Sequence, residues 1–303
     1  MTLTYNGVDI TASVEMAEAV SIDCEGGQAD MLRLTLQNAG EWYAWGPKED
    51  DEIELVDEGY TTGRMYLHTL LPDGDGFKLV ACSLNSAARE PRWACYEQVT
   101  LSEMMRQAAA ESGMDFMAYG VNLSERYTRL MRKDESLPAM LDRLLTLEGA
   151  RLKCAGGRMT AISLAWAQAR DPVRTFTATP ESEAMQHIRG SAAPARSVRV
   201  RTATANGMVI YQAQTGHDII RCDLPATDNA QAARWASGIA ADETRDAEEI
   251  IWEIDYDGQL CAWARVDIDG LQSVAGEWIA REVEHDHIER KTTMRLCRCV
   301  EIL

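Results

Sequence analysis

The stretch LVACSLNSAAREPRWACYEQVTLSEMMRQAAAESG, residues 79–113, changes its apolar period from two to about 3.6. Residues 78–84 predict a buried strand, which an arginine-containing polar segment then interrupts. Thr100 and Glu103 have the spacing of a capping box, in which each side chain accepts a hydrogen bond from the other residue's backbone N–H. Gly113 follows where a helix end needs a left-handed residue. The stretch therefore predicts a strand followed by a capped helix, with no catalytic residue in it.

The length and composition are those of a soluble globular protein. A length of 303 residues predicts two or three domains. Because 46% of the residues are hydrophobic and 26% are charged, each domain can bury a core of its own. No apolar run approaches the ~18 residues of a membrane span, and the N-terminus lacks the pattern of a signal peptide. Folding in a cytosol is expected, without membrane insertion. The eight cysteines form no Cys-x-x-Cys pair, so we interpret them as reduced thiols.

The formal net charge of −18 argues against a protein that grips nucleic acid by its phosphates, and no sequence-specific nucleic-acid binding is predicted. The acidic residues concentrate in two stretches, 41–58 and 242–257. A separate segment alternates valine with Arg199 and Arg201, which predicts a strand with one apolar and one basic face. That basic face has two open interpretations, a solvated surface or a contact for an acidic neighbour.

Turn signals divide the chain into two β-rich regions, from the N-terminus to about residue 84 and from about residue 170 to the C-terminus. Strands are predicted at 31–36, 53–56, 65–68 and 250–256. Many short strands of this kind suggest sandwiches or barrels. Type I′ hairpins are predicted at Asn6-Gly7, Asp73-Gly74, Asp75-Gly76, Asn206-Gly207, Asp257-Gly258 and Asp269-Gly270.

A weak internal repeat lies between the two regions. The helix after Thr100 ends at Gly113, and a second helix after Ser136 ends at Gly149, with the same offset from cap to glycine. The second unit continues into a predicted hairpin on which its apolar stripe would pack. A third helix is predicted to begin at Asp228 and to interrupt the second β-rich region.

Two C-terminal strand-like stretches, 276–285 and 292–296, complete a pattern that covers nearly the whole chain. Taken with the strand before residue 88, the entry to the first helix at 96–101 and the second helix ending at 148–150, the pattern resembles the baseplate hub proteins of phage tails. The family is that of late control protein D, which also occurs in phage-derived injection particles. The resemblance rests on the order and spacing of elements along the chain.

The resemblance implies a β-rich α+β fold with two antiparallel β-barrel domains joined by an α+β segment. The implied domains are residues 1–92 for the first barrel, 93–168 for a middle domain of two helix-strand units, and 169–303 for a second barrel interrupted by a helix at about 229–246. Three copies would close a pseudo-sixfold ring that joins the sixfold tail tube to the threefold central spike.

The same resemblance implies the partners and the location. The partners would be two further copies of the chain, the central spike, the tail tube or a tube initiator, baseplate wedge proteins and the tape-measure protein. The location would be the tail baseplate of a virion assembled in the cytoplasm of the bacterial host. The ring would enclose a channel, and an acidic wall there would repel DNA phosphates.

Two alternatives stay open. A metal-dependent cell-wall hydrolase is suggested by His285, Asp286 and His287 with Glu284 and Glu289, although helical zinc motifs space two histidines at i and i+4. A carbohydrate-binding β module of a tail is suggested by the eight tryptophans. No nucleophile elbow or phosphate loop is present in the sequence. We predict no enzyme activity, no catalytic, cofactor-binding or metal-binding residue, and no cofactor.

Overall fold

The computed structural model describes residues 1–37, 45–73, 76–180, 182, 184–190, 195–210 and 216–300. Within these ranges the chain forms twenty-two strands and five helices, which confirms the predicted β-rich α+β class. One hydrogen-bonded network of 14 strands runs through both β-rich regions. The described strands include no closed barrel, so the predicted arrangement of two barrels is not confirmed.

The N-terminal region is a set of antiparallel strands in which apolar and polar side chains alternate. In its central strand, Leu32, Leu34 and Leu36 are buried in one core, while Arg33 and Thr35 on the other face are half-buried. The strands predicted in this region are confirmed. The elements are β1 Thr2–Tyr5, β2 Val8–Asp9, a 3₁₀ turn Thr11–Ser13, β3 Met16–Cys24, β4 Met31–Gln37, β5 Glu52–Asp57, β6 Tyr60–Thr61, β7 Met65–Asp73 and β8 Gly76–Cys82.

The middle segment contains the two predicted helix-strand units. Thr100 Oγ1 accepts a hydrogen bond from the Glu103 N–H at 3.1 Å, and the Thr100 N–H donates to Glu103 at 2.8 Å, which confirms the capping box. Gly113 has a φ of +64°, as expected for a helix C-terminus. The elements are α1 Ser86–Arg89, β9 Arg92–Thr100, α2 Leu101–Glu111, β10 Asp115–Tyr119, β11 Arg126–Glu135, α3 Leu137–Leu147, β12 Ala150–Ala155, β13 Arg158–Ser163 and α4 Leu164–Gln168.

The C-terminal region contains six strands of the large network and an insertion of three strands and one helix. The predicted third helix is confirmed, since the Asp228 side chain caps it by accepting from the Gln231 N–H at 2.9 Å. The elements are β14 Arg174–Ala178, β15 Met185–Arg189, β16 Ala195–Arg201, β17 Asn206–Ile210, β18 His217–Arg221, α5 Asn229–Arg245, β19 Glu248–Asp255, β20 Arg265–Gly270, β21 Gly276–Asp286 and β22 Lys291–Arg298.

The insertion packs on the middle segment. Val198 and Val200 of β16 and Trp235 of α5 are buried in the same hydrophobic cluster as Met140 and Leu144 of α3. Strands β17, β16 and β18 form a separate small sheet under α5. The helix therefore interrupts the second region in sequence while its core is shared with the middle segment. The three domain boundaries given above stay a prediction.

The turn predictions were right at one of the four described sites. Asn6-Gly7 has the two positive φ angles of a type I′ turn, whereas Asn206-Gly207 begins β17 and is not a turn. A Cβ on Gly207 would lie 2.1 Å from the Ala233 backbone nitrogen of α5, so this glycine permits close packing of backbone on backbone. Neither Asp257-Gly258 nor Asp269-Gly270 has two positive φ angles. The two turns predicted at 73–76 include residues 74 and 75, which lie outside the described residues.

Candidate functional site

Two sets of six strands, one near each end of the chain, share one strand order. The N-terminal sheet has the order β3-β4-β8-β7-β5-β1, and the C-terminal sheet has the order β15-β19-β22-β21-β20-β14. When each set is numbered along the chain, both orders become 2-3-6-5-4-1. A shared order of this kind indicates that the chain presents one sheet topology twice.

The repeat extends to individual backbone features. β7 has a bulge between Leu67 and Thr69, and β21 has one between Ala280 and Glu282, the equivalent place. Next to each bulge, a residue with positive φ donates its N–H to the strand: Asp50 to the Leu67 carbonyl at 2.9 Å, and Trp263 to the Ala280 carbonyl at 2.7 Å. One strand differs, because β1 is antiparallel to β5 whereas β14 is parallel to β20.

The two sheets are joined by antiparallel pairing between β3 and β21, which we call the internal seam. It runs from Val20 opposite Asp286 to Cys24 opposite Glu282. The same edge of β21 also pairs with β20, so two strands share that edge. Because β3 has β4 on one side and β21 on the other, its residues from Ala19 onward are buried.

His287 forms hydrogen bonds across the internal seam with both of its ring nitrogens. Nδ1 lies 3.0 Å from Asp57 Oδ2 and Nε2 lies 3.0 Å from Ser21 Oγ. Arg290 also donates to Asp57, at 2.7 Å. Asp57 and Ser21 belong to the N-terminal sheet, whereas His287 and Arg290 follow β21. Burial lowers the pKa of His287, against the opposing effect of Asp57.

His285 is also buried in the seam, and its partners fix its tautomer. Nε2 lies 3.1 Å from the Leu260 carbonyl, which can only accept, so Nε2 carries the proton. Nδ1 then accepts from the Thr292 hydroxyl at 3.0 Å. Burial lowers the pKa of His285 to about 4. Both ring nitrogens are thus used by protein groups, which argues against a metal-ligand role for the histidine pair.

Charged groups from outside the two sheets are attached to the seam. Arg245 of α5, almost fully buried, forms an ion pair with Glu25, whose carboxylate also lies 3.3 Å from Arg281. The Trp263 indole N–H donates to the Glu25 carbonyl at 2.7 Å. The inserted helix is therefore tied by charge to the end of β3.

Lys153 of β12 ties the middle segment to the same strand. Its ammonium group forms ion pairs with Asp23 and, at 3.0 Å, with Asp30, and it donates to the Cys24 carbonyl at 2.9 Å. Burial raises the pKa of Asp30 to about 7, although Lys153 acts in the opposite direction. Burial alone would lower the pKa of Lys153, but the two carboxylates raise it above its usual value. The lysine stays charged, as a buried pair of carboxylates requires.

A large cleft lies away from the seam, between β11, α3 and α5, and has a volume of about 1180 Å³. Its lining mixes apolar residues such as Leu144 and Ile239 with arginines and carboxylates, and it is open to solvent. Within the described ranges, no group of three or more His, Cys, Asp or Glu side chains could hold a metal ion. The part of the chain that is described also contains no helix long and apolar enough to cross a membrane.

The arginine-rich strand and the acidic stretches can now be placed. Val198 and Val200 of β16 are buried and Arg201 is exposed, which confirms the two-faced strand. Part of the charge is used within the chain, since Asp246 pairs with Arg281 and other carboxylates of both stretches also have internal partners. The contact with an acidic neighbour stays a prediction. All eight cysteines are free thiols, as interpreted from the sequence.

Sequence analysis missed the residues that build the seam. Ser21, Asp57 and Lys153 carry no local signal, because their partners are far away in sequence; Ser21 and His287 are 266 positions apart. His285 and His287 stand out in the sequence, but the groups that form hydrogen bonds with them do not. Only the shared turn and strand pattern of the two regions indicated that the ends of the chain were alike.

Comparison with solved structures identifies the class of fold. The chain is similar to the 43 kDa tail protein of prophage MuSo2 from Shewanella oneidensis, with a TM-score of 0.75, 11% identity and coverage of 98% of this chain and 97% of that one. It is also similar to a tail protein from Neisseria meningitidis MC58, with a TM-score of 0.74, 9% identity and coverage of 98% and 95%.

A third similar structure is the E. coli c3393 protein, described as a component of the type VI secretion system with structural similarity to the T4 bacteriophage tail proteins gp27 and gp5. The TM-score is 0.66 at 9% identity, with coverage of 99% of this chain and 77% of that one. No family model and no curated protein matches the chain. At these identities the likeness establishes the fold.

The fold is that of phage tail proteins and related secretion-system components. The resemblance to baseplate hub proteins inferred from the sequence is confirmed at this level. The neighbours named above are tail proteins and a component of a secretion system, and what this chain shares with them is the fold.

Proposed function

We propose that this chain is the structural baseplate hub of a phage tail or of a phage-like injection particle. Three copies form a pseudo-sixfold ring that joins the tail tube to the threefold central spike and surrounds the channel. The observation that carries the proposal is the repeated strand order of the N-terminal and C-terminal sheets. A chain that presents one topology twice supplies six similar surfaces from three copies.

The repeat explains how the ring can meet partners of different symmetry. A sixfold tube requires six similar contacts, whereas a threefold spike requires three. Each chain provides two similar sheets and one middle segment with a single insertion, so both numbers are available from one trimer. In this proposal, residues 1–92 and 169–303 form the two barrel domains and residues 93–168 the middle domain.

The other partners are baseplate wedges, a tube initiator and the tape-measure protein, at the baseplate of a virion assembled in the host cytoplasm. The proposed channel wall is acidic and would be made of exposed carboxylates in 41–58 and 242–257, such as Glu58 and Asp255, which are paired with cations of the same chain. Such a wall would let DNA pass without binding it.

The rival functions have weaker support. The hydrolase would need His285 or His287 as a metal ligand, and both rings are hydrogen-bonded on both nitrogens. The carbohydrate module would need exposed aromatic rings in one place, but Trp235 and Trp278 are fully buried, and the exposed Trp45 and Trp93 belong to different segments of the chain. The structural neighbours are tail structural proteins, which supports a non-enzymatic role.

Light scattering of the full chain, alone and co-expressed with a spike protein from the same tail gene cluster, tests the proposal. The expected species is a trimer, which negative-stain images should show as a ring with six lobes around a hole. A chain that stays monomeric in both samples at high concentration would contradict the hub function. Peptidoglycan release that is lost in a His285→Gln variant would favour the hydrolase.

A further inference from the structure

The internal seam has an incomplete copy elsewhere in the molecule. In the shared strand order, β15 is equivalent to β3 and β7 is equivalent to β21. Within each chain β3 pairs with β21, whereas the structure describes no pairing between β15 and β7. Strand β15 pairs only with β19 among the described strands, and β5 pairs with β7 only at Met65 and Tyr66.

We propose that β15 of one protomer pairs with β7 of the next protomer in the ring, and thereby repeats the internal seam between chains. This inference rests on the proposed ring. Six seams, alternately within and between three chains, would then close the assembly. Each contact joins two different edges, which is the head-to-tail arrangement that generates closed rings.

The two internal registers define the register of the intermolecular seam. The bulges align Glu282–Asp286 of β21 with Thr69–Asp73 of β7. Through β8 and β22 the bulges also align Met31 of β4 with Glu249 of β19. Ile22, opposite Met31, is therefore equivalent to Ile188, opposite Glu249, and Asp23 is equivalent to Arg189. Since Ile22 lies opposite Glu284 in the internal seam, Ile188 should lie opposite Leu71 in the intermolecular one.

Exposure supports this register. Leu71 and Ile188 are 55% and 41% exposed, and they are among the large apolar side chains on the surface of the described chain. Of their internal equivalents, Ile22 is only 8% exposed, whereas the Glu284 side chain is 40% exposed and paired with Arg33. The proposed pairing therefore places two solvent-exposed aliphatic side chains in contact.

Backbone hydrogen bonding gives a second test of the register. Glu25 donates its N–H to the Arg281 carbonyl at 2.8 Å, and His287 donates to the Ala19 carbonyl at 2.9 Å. Antiparallel alternation then makes Asp23 opposite Val283 a hydrogen-bonded pair and Ile22 opposite Glu284 a non-hydrogen-bonded pair. The equivalent of the second pair, Ile188 with Leu71, has its side chains close together.

The free edge of β15 has the matching polarity. Gly190 donates its N–H to the Ala247 carbonyl at 2.9 Å, so the backbone N–H and C=O groups of the even-numbered residues of β15 point toward β19. The N–H and C=O groups of His187 and Arg189 accordingly point to the other edge, where the seam requires them. In the proposed register Arg189 lies opposite Leu70, with which it can exchange two hydrogen bonds. His187 lies opposite Pro72, which can only accept a hydrogen bond because it has no N–H.

Because Pro72 has no N–H, the intermolecular seam has one backbone hydrogen bond fewer than the internal seam. Proline is tolerated on edge strands and reduces indiscriminate pairing of an exposed edge. A somewhat weaker seam between chains than within them is consistent with assembly from separately folded protomers.

Disulfide trapping in the full chain tests the register. The double variant Leu71→Cys with Ile188→Cys is oxidised, and bridged peptides are identified by mass spectrometry so that native cysteines do not confuse the result. We expect a 71–188 bridge between chains and a covalent trimer. The matched control is Val56→Cys with Ile188→Cys, because Val56 is also 41% exposed in the same sheet, and it should give no such bridge.

A charge at the same position tests the contact without oxidation. Leu71→Asp should raise the concentration at which half of the trimer dissociates by about tenfold or more, because it replaces the aliphatic contact with Ile188 by an unpaired carboxylate. In the internal seam the equivalent Glu284 is paired with Arg33, but Ile251 stands at the position equivalent to Arg33 in the C-terminal sheet.

Val56→Asp should leave that concentration unchanged, and circular dichroism checks that both variants fold. A trimer that forms without the 71–188 bridge and tolerates Leu71→Asp would overturn the seam but keep the hub. A chain that never forms a trimer would overturn both.

Discussion

The N-terminal and C-terminal sheets have one strand order but different neighbours. In the N-terminal sheet, the second strand, β3, is covered on both edges and buried along its C-terminal half. In the C-terminal sheet, the equivalent β15 is covered on one edge, and Gln186 and Ile188 are exposed. Since the topology is the same, this difference among the described strands is the basis of the proposed pairing of β15 with a neighbouring protomer.

Equivalent positions of the two sheets also differ in charge. Asp23 near the end of β3 and Asp30 just before β4 both contact Lys153 of β12. At the equivalent positions, Arg189 faces Glu248 across β15 and β19. The N-terminal sheet thus takes its cation, Lys153, from the middle segment, whereas the C-terminal sheet has Arg189 as a cation of its own.

Removal of Lys153 should have the largest effect on this comparison. Lys153→Met leaves two carboxylates facing each other without their cation, and we expect a loss of about 3–5 kcal/mol in the free energy of unfolding. Urea denaturation of the purified chain measures it. Lys291→Met is the matched control, because Lys291 pairs with an exposed Asp255 and its removal should change stability little. Equal losses for both variants would show that the buried triad has no special role.

Local sequence signals predicted much of what is local in this fold. The capping box at Thr100, the Asp228 cap and the alternation in β4 are each determined by neighbouring residues, and all are present. Alternation shows which face of a strand is buried but not which strand lies beside it. The pairing of β3 with β21 and the contact of Lys153 with Asp23 were therefore not predictable from these signals.

The insertion of α5 is the second difference between the sheets, because β3 and β4 are joined by a short link where β15 and β19 are joined by the insertion. A Cβ on Gly238 would lie 2.2 Å from the Leu147 carbonyl of α3. Gly238→Ala should therefore cost about 1–3 kcal/mol by overpacking, although alanine favours a helix.

Urea denaturation of the monomer also measures this effect. Gly190→Ala is the control, since its nearest neighbours would be at 3.4 Å or more and no backbone strain is involved, so its stability should change little. A stabilised Gly238→Ala variant would mean that α3 and α5 can move apart, and that the insertion is loosely attached.

The internal seam should lose stability in acid. The pKa of His285 is about 4 in the folded chain and about 6.5 when unfolded, so the unfolded chain takes up the proton first as pH falls below 6.5. The stability that the neutral histidine contributes above pH 6.5 is lost as the pH falls toward 4. The loss amounts to about 2 kcal/mol at pH 5.

His285→Gln separates this effect from packing. Its cost at pH 8 measures lost contacts, and a smaller cost at pH 5 would isolate the ionisation. Nuclear magnetic resonance titration of the imidazole signals gives the pKa directly. A pKa of His285 near 6.5 in the folded chain would contradict the buried neutral histidine.

The smallest effect is expected at Arg189, the C-terminal equivalent of Asp23. Its side chain is 67% exposed where it meets Glu248, so Arg189→Ala should change the monomer's free energy of unfolding by less than ~1 kcal/mol. Denaturation of dilute, monomeric protein measures this value. Position 23 is buried in the internal seam, whereas position 189 lies on an edge that the proposed neighbour would cover. A cost at Arg189 as large as that at Lys153 would mean that β15 is already covered within one chain, and the contrast between the two sheets would disappear.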